Sequence, residues 1–316
     1  MHNTTALKKP ENQQKITGAL YDNAELFGGR VRLIAFGRFY DTFEREENWT
    51  TTPLQKPGDG QRVDCSLTRH LPAICEELRV REILSPSATN SNARMCRQDE
   101  LSARIRIGNK LILRRGVKAD GCRLLPGQAY GLSPAGCEVI LGWYPGDPVT
   151  GEKSKLDVAH ASLRSLIDME EVMTGEQSRQ PSSITEAMLH SLNCLGKKNS
   201  RRKRVQIIIA FPIPWQELKY EWNYPDDGEK NKKICRFVVE HHGGGCLPGE
   251  QERGHIDIAE ITTQQFVNLG VPLENINLIT CEYFSSLRHM DGKEKWYSTR
   301  GVFPDRRNWV QVTRYA

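Results

Sequence analysis

Two apolar runs separated by a turn-forming segment constrain the fold of this chain more than any other stretch. The first run covers residues 137–144 (CEVILGWY) and the second covers residues 156–160 (LDVAH). Residues 145–151 (PGDPVTG) between them are rich in Pro and Gly. Short apolar runs bounded by Pro and Gly are typical of strands rather than helices, so this stretch predicts a β-hairpin.

The predicted hairpin places a thiol beside an imidazole. Cys137 begins the first strand and His160 ends the second, and the start of one antiparallel strand lies next to the end of its partner. Such a pair can bind zinc, or it can act as a nucleophile with its general base. We expect the two side chains to meet at one site; a buried structural cysteine and a hydrogen-bonded strand-end histidine are the alternatives.

The composition and the N-terminus indicate a cytoplasmic protein that does not bind membranes. No run approaches the roughly 18 apolar residues of a membrane-spanning helix, and residues 1–18 lack the apolar core of a secretion signal. Nine cysteines without a CxxC spacing indicate reduced thiols rather than a disulfide framework.

One basic run accounts for much of the net charge of +5. Residues 197–204 (KKNSRRKR) carry six Lys and Arg side chains, which makes nucleic-acid contact a possible use for them. No aromatic side chains interleave with these charges, although proteins that bind single strands use aromatic rings for base stacking. A solvated loop is therefore the favoured interpretation, and nucleic acid is disfavoured as a partner.

The remaining patterns predict a single-domain α+β protein with mixed β-sheets flanked by helices, after a disordered or loosely attached segment 1–24. The domain would cover residues 25–316. Strands are predicted at 31–39, 105–113 (interrupted at 108–109), 205–211, 235–241 and 276–280; helices at 64–78, from 163 to 172, 182–195 and 256–269; and a surface loop at 219–233.

Several short motifs occur in an order that resembles the laccase-domain family, the polyphenol-oxidase-like proteins associated with purine nucleoside phosphorolysis. That family reads approximately ADG, then A-D-C-x-P-I-L-L, then H-A-G-W-R-G. The matching pieces here are residues 119–121 (ADG), 135–141 (AGCEVIL) and 160–165 (HASLRS). Towards the C-terminus, residues 256–258 (IDI), 269–276 (LGVPLENI), Cys281 and 284–292 (FSSLRHMDG) agree in order as well. The resemblance spans roughly residues 25–315.

The resemblance implies a fold like that of laccase-domain proteins and of the catalytic domain of cytotoxic necrotizing factors. It also implies one zinc ion bound by two His and one Cys, with Cys137 and His160 as two of the ligands. Arg164 and Arg288 would bind phosphate or substrate, and Arg164 would assist catalysis near a helix N-terminus.

The sequence departs from the family at the third zinc ligand. The family's other His belongs to a V-H-G motif upstream of ADG, but the corresponding residues 83–95 (ILSPSATNSNARM) contain no His. Either a His from elsewhere completes the site or the metal is lost, because three protein ligands are the usual number in catalytic zinc sites. The candidate replacements are His241, His242, His255 and His289.

Three functions stay open at this point. The first is a zinc-dependent enzyme acting on purine nucleosides, either a phosphorylase that uses phosphate or an adenosine deaminase-type hydrolase. The second is a metal-free hydrolase or deamidase in which Cys137 attacks and His160 serves as its base. The third is a degenerate, non-catalytic relative that binds a partner or ligand.

Overall fold

Two mixed β-sheets form the body of the protein in a computed structural model. The structure describes residue 16 and residues 19–37, 66–88, 92–107, 111–134, 137–196, 200–216, 218–223, 225–249, 253–280 and 308–315. The predicted α+β class with mixed sheets and flanking helices is confirmed. No described helix combines the length and the apolar character that a membrane crossing requires.

The strands divide into a seven-stranded and a six-stranded sheet. The larger sheet has the order β1-β2-β13-β8-β3-β6-β5 and the smaller one the order β12-β11-β9-β10-β7-β4. Their bounds are β1 Tyr21–Glu25, β2 Val31–Phe36, β3 Glu82–Leu84, β4 Met95–Cys96, β5 Ala103–Ile107, β6 Leu111–Arg115, β7 Gly121–Leu124, β8 Ala129–Leu132, β9 Glu138–Tyr144, β10 Lys155–Ala161, β11 Gln206–Ala210, β12 Ile276–Ile279 and β13 Trp309–Arg314.

Helices lie between these strands in the chain. They are α1 Leu26–Gly29, α2 Ser66–Glu77, α3 Leu163–Leu166, α4 Met169–Thr174, α5 Ile184–Ser191, α6 Gly228–His242 and α7 Ile258–Asn268. Short 3₁₀ turns occupy Gln98–Glu100, Ser200–Arg204, Gly244–Cys246 and Leu273–Asn275.

The predicted hairpin is confirmed as the pair β9 and β10 in the smaller sheet. The strands are antiparallel, with Lys155 opposite Tyr144 and Ala161 opposite Glu138. All seven residues of β9 are buried, because the strand has neighbours on both edges and is covered on both faces. The site at the open end of this hairpin is therefore built on a rigid element.

The two faces of the smaller sheet pack against different layers. Residues Ile140 and Tyr144 of β9 and Ala159 and Ala161 of β10 belong to the core that the helices cover. Their neighbours Val139, Leu141 and Val158 belong to the core that is shared with the larger sheet. This alternation follows from the two-residue period of a strand. It assigns Cys137 and His160 to the face that looks towards the larger sheet.

Four local predictions need correction. Residues 235–241 are helical and form no strand, because they belong to α6 Gly228–His242. The loop predicted at 219–233 ends before residue 228, where the same helix begins. Ile234, Cys235 and Val238 are buried on one side of this helix. The helix predicted from 163 to 172 is two short helices, α3 and α4. Strand β1 begins at Tyr21, within the segment 1–24, and pairs with β2.

Candidate active site

The hairpin brings Cys137 and His160 together. Cys137 directly precedes β9, while His160 is the penultimate residue of β10 and lies opposite Val139. Cys137 is partly exposed, and the side chain of His160 is 10% exposed. The thiol and the imidazole interact strongly enough to change the acidity of the ring. The structure thus places these two predicted site residues next to each other at the open end of the hairpin.

A carboxyl group stands on the other side of the imidazole. Asp120 is fully buried, and its Oδ1 lies 3.8 Å from Nδ1 of His160. This distance exceeds that of a hydrogen bond, so the carboxylate acts on the ring as a counter-charge. The backbone N–H of His160 donates to the carbonyl of Asp120 at 2.8 Å, which ties the two residues together.

Backbone amides of an upstream loop hold the carboxylate of Asp120. The N–H groups of Asn92 and Arg94 donate to its Oδ2 at 3.0 Å and 3.3 Å. Ala93 between them has φ +57°, a left-handed conformation that L-residues adopt only rarely. This turn aims two amides at one oxygen, and it lies in the segment where the laccase-domain resemblance would place the missing His.

Gly121 allows this segment to approach the hairpin closely. It pairs with Ala159 of β10, and a Cβ atom at this position would lie 2.4 Å from the carbonyl oxygen of Val158. Any larger residue would push β7 away from β10 and carry Asp120 with it. The glycine of the ADG motif therefore has a packing role that places its neighbour.

The electrostatic surroundings favour a protonated ring at His160. Burial lowers the pKa of the imidazole, but the negative charge of Cys137 and the proximity of Asp120 outweigh it and raise the pKa to about 10. Such a ring carries a positive charge at neutral pH, next to a thiol whose ionised form it stabilises. The arrangement therefore places the imidazole of His160 between the thiol of Cys137 and the carboxyl group of Asp120.

A second buried carboxyl group follows Cys137 directly. Glu138 is fully buried on the helix-covered face, where the hydroxyl of Thr262 on α7 donates to its Oε1. Its Oε2 has no hydrogen-bond partner in the part of the chain that the structure describes. Burial is the main cause that raises the pKa of Glu138 well above its ordinary value, which favours the neutral form of this acid.

Arg164 lies on the four-residue helix α3 and is exposed. Its backbone carbonyl accepts a hydrogen bond from Nη1 of Arg179 at 3.1 Å. Because α3 is a single turn, it provides little of the helix dipole that the phosphate prediction relied on. Arg288, the other predicted phosphate-binding residue, lies outside the described residues.

Of the three described candidates for a third zinc ligand, His241 and His255 have other contacts, whereas Nδ1 of His242 has no hydrogen-bond partner among the described residues. His241 stacks on Phe237, and a ring nitrogen of His255 lies 3.3 Å from the carbonyl of Trp215. Within the described residues, no group of three His, Cys, Asp or Glu side chains is arranged to hold a metal ion. These residues therefore offer zinc two ligands, Cys137 and His160, and do not fit a complete three-ligand site; His289 lies outside them.

The role of Asp120 is not predicted from the sequence, although this residue belongs to the ADG motif. Asp120 is two residues before Cys122, and both belong to the face that looks towards the larger sheet. The alternation of β7 was therefore a usable signal. What the sequence did not reveal was that β7 would pair with β10.

Comparisons with known proteins show the fold. No protein-family model matches the sequence, and no curated protein matches it. The hypothetical protein YfiH of Bacillus licheniformis aligns with a TM-score of 0.55 and 13% identity, covering 90% of this chain and 92% of its own. YlmD of Geobacillus stearothermophilus gives 0.55 and 15%, with coverage of 90% and 92%. The DUF152 protein NMB0706 of Neisseria meningitidis gives 0.53 and 10%, with coverage of 91% and 95%. The chain has the fold of these proteins along nearly its whole length.

Proposed function

We propose that this protein is a thiol-dependent hydrolase or deamidase on the fold of the laccase-domain proteins, as a divergent relative of them. Cys137 would be the nucleophile, His160 the proton-transfer group, and Asp120 the residue that positions and charges the ring. The observation that supports this proposal is the buried imidazole of His160, which interacts with a thiol and faces a carboxylate 3.8 Å away. A nucleophile, a base and an orienting acid are the three parts that such catalysis needs.

The first half of the reaction uses the charged pair. The thiolate of Cys137 attacks the carbonyl carbon of a carboxamide, and the tetrahedral intermediate collapses to a thioester. The leaving nitrogen takes a proton from the imidazolium of His160 and departs as ammonia or an amine. The high pKa of the ring ensures that this proton is present at neutral pH.

The second half follows from the causes of that pKa. Once the thiolate has become a thioester, the charge of Cys137 no longer raises the pKa of His160, whereas the burial that lowers it persists. The ring then becomes a suitable base at neutral pH. It removes a proton from water, the hydroxide attacks the thioester, and the products are a carboxylic acid and the regenerated thiolate–imidazolium pair.

The test is the acidity of one thiol, and it requires no known substrate. Iodoacetamide at pH 5 is expected to label Cys137 stoichiometrically, because the proposed imidazolium of His160 keeps this thiol ionised. An ordinary thiol with a pKa near 8.5 is only about 0.03% ionised at pH 5 and reacts slowly. Cys194 is the internal control, since burial raises the pKa of its thiol to about 11. Mass spectrometry would count label on each cysteine. A Cys137 that reacts no faster than an ordinary thiol contradicts the proposal.

A catalytic test follows from the labelling result. Ammonia release from glutamine- and asparagine-containing peptides and proteins is expected to depend on Cys137 and to vanish in Cys137→Ala. If Cys137 is reactive but no carboxamide or other acyl substrate is turned over, the site binds rather than catalyses.

A second candidate is a zinc-dependent enzyme acting on purine nucleosides. It is favoured by the motif order along the chain, which resembles that of the laccase-domain family. The adjacent Cys137 and His160 would be two ligands, and an open coordination position would bind substrate or water. One zinc per chain in purified protein, with phosphorolysis or deamination of inosine or adenosine, would replace the hydrolase proposal by this one.

A further inference from the structure

Two buried cysteines lie side by side next to the candidate active site. Cys96 of β4 and Cys122 of β7 are directly opposite in the parallel pairing of these strands. Both are buried, at 4% and 0% exposure, and both belong to the core between the two sheets. Their side chains therefore leave the sheet on the same face, where they contact each other.

The spacing of neighbouring strands suits a disulfide. Adjacent strands lie about 4.8 Å apart, and disulfides join Cα atoms separated by about 4.4–6.8 Å. A bond between these two residues is therefore within reach of the sulfur atoms, and thiol–disulfide exchange can form it and reverse it.

The dithiol is joined to the candidate site by short backbone connections. Arg94 precedes Cys96 by two residues, and Asp120 precedes Cys122 by two. The N–H of Asp120 donates to the carbonyl of Arg94 at 2.9 Å, and the N–H of Arg94 donates to the Asp120 carboxylate at 3.3 Å. A change at the sulfur atoms therefore acts on the same two strand ends that hold the counter-charge of His160.

We propose that Cys96 and Cys122 form an oxidisable dithiol, and that its disulfide weakens the support of Asp120 and slows the chemistry of Cys137. The effect on Cys137 rests on the proposed function, whereas the formation of the bond does not. Closing the sulfurs from contact to a bond of about 2.05 Å draws β4 against β7. The longest contact to the carboxylate, from Arg94, is the one that we expect to break.

The reaction is a thiol–disulfide exchange with oxidised glutathione as the oxidant. The thiolate of Cys96 attacks one glutathione sulfur, forming a mixed disulfide and releasing one glutathione thiolate. The thiolate of Cys122 then attacks the sulfur of Cys96 and releases the second glutathione. Two protein thiols are oxidised to one disulfide, and one glutathione disulfide is reduced to two thiols.

Cys96 is suited to the first step. A hydrogen bond with the thiol of Cys122 is the largest influence on Cys96 and lowers its pKa despite burial, whereas contact with Cys96 and burial raise that of Cys122. Cys96 also lies on β4, a two-residue strand at the edge of the smaller sheet. Short edge strands open locally at low cost, which gives the oxidant access.

The test treats the folded protein with oxidised glutathione or with dithiothreitol at pH 7.5, and then labels Cys137 with iodoacetamide at pH 5. Trypsin releases Cys96 in residues 95–97 (MCR) and Cys122 in residues 119–123 (ADGCR). We expect these two peptides to appear as one disulfide-linked species after oxidation. We also expect labelling of Cys137 to slow about threefold or more, because a displaced catalytic support costs rate.

Two variants separate this mechanism from direct oxidation of Cys137. Cys96→Ala is expected to label like the reduced protein under both conditions, whereas Cys194→Ala is expected to respond to oxidation like the natural chain. The proposal is overturned if no linked peptide forms, if the link forms without slowing the labelling, or if Cys96→Ala slows equally. A Cys137 that is unreactive even after reduction contradicts the proposed function instead, and the linked peptide can still be scored.

Discussion

Two buried carboxyl groups, one on each face of the smaller sheet, lie beside the Cys137–His160 pair. They differ in their hydrogen-bond partners. On the face towards the larger sheet, Asp120 receives two backbone N–H groups on one oxygen and faces the imidazole with the other. On the helix-covered face, Glu138 receives one hydroxyl, and its other oxygen has no hydrogen-bond partner among the described residues. Both residues are 0% exposed.

This contrast shows that partners, rather than burial, decide what a buried acid does. Donated N–H groups and a neighbouring positive ring favour a carboxylate, whereas burial with few partners favours the neutral acid. Asp120 is therefore suited to stabilise a charge on His160, and Glu138 to act as an uncharged packing group. Pairs of acids with opposite environments are a recurrent way to divide such roles.

The largest effect is expected from removing the imidazole of His160, which interacts with the thiol of Cys137 and the carboxyl group of Asp120. His160→Ala should slow labelling of Cys137 at pH 5 by roughly 10- to 100-fold, because the thiolate loses the positive charge that stabilises it. The greater nucleophilicity of a high-pKa thiolate offsets only part of this loss. Labelling rates measured from pH 5 to pH 9 would test it. A variant with an unchanged pH profile would show that the ring does not control the thiol.

The next effect compares the two acids directly. Asp120→Asn should slow the same labelling reaction about 3- to 10-fold, since it removes the counter-charge of the imidazolium and leaves the ring in place. Glu138→Gln is the matched control, because it also replaces a buried carboxyl group by an amide of the same shape. We expect a change of less than about twofold there, as a neutral acid contributes no charge to lose.

Equal effects of these two substitutions would end the distinction between the faces. The ring itself offers a second readout. An NMR titration of His160 should show a clearly lower pKa in Asp120→Asn than in the natural chain, and little change in Glu138→Gln.

Sequence reasoning reached the hairpin and most of the fold because these rest on local patterns. The apolar runs of β9 and β10 and the turn rich in Pro and Gly between them are contained in a single stretch, and the β-branched run 205–211 predicts β11. Helix α6 was missed because its first half is polar and the pair Val238–Val239 favours a strand. The buried positions Ile234, Cys235 and Val238 do follow helical spacing, so packing against other helices overrode the local preference.

The same reasoning reached half of the candidate site. Cys137 and His160 meet through a hairpin, whose register follows from neighbouring sequence. Asp120 reaches His160 only because β7 pairs with β10 and the loop around Ala93 folds over it. That pairing joins segments far apart in the chain, and no local pattern specifies which strand becomes the neighbour of which.

A third prediction concerns stability and the neutral state of Glu138. A folded-state pKa above the ordinary value means that the stabilising contribution of this acid is complete below pH 4.5 and is lost as pH rises towards its folded pKa. Gln at this position does not titrate. The difference in the free energy of unfolding between Glu138→Gln and the natural chain should therefore shift in favour of the variant as pH rises above 4.5. The shift is at most about 1.4 kcal/mol per pH unit.

Urea unfolding of both proteins at pH 5 and pH 8 would measure this gain, because every other group titrates equally in the two chains. A constant difference between Glu138→Gln and the natural chain would mean that Glu138 is ionised in the folded state.

The smallest effect is expected at Arg164, and it bears on the purine nucleoside alternative. Arg164 is exposed on one helical turn, whereas Arg179 nearby donates hydrogen bonds to the carbonyls of Arg164, Ile167 and Ser182. Arg164→Ala should change Cys137 labelling and carboxamide turnover less than about twofold, as exposed side chains contribute little. Arg179→Ala, which removes several charged hydrogen bonds, should instead lower the free energy of unfolding by about 1.5–3 kcal/mol. If Arg164→Ala abolishes a phosphate-dependent turnover of nucleosides, this side chain binds the anion and the zinc-enzyme alternative gains over the hydrolase.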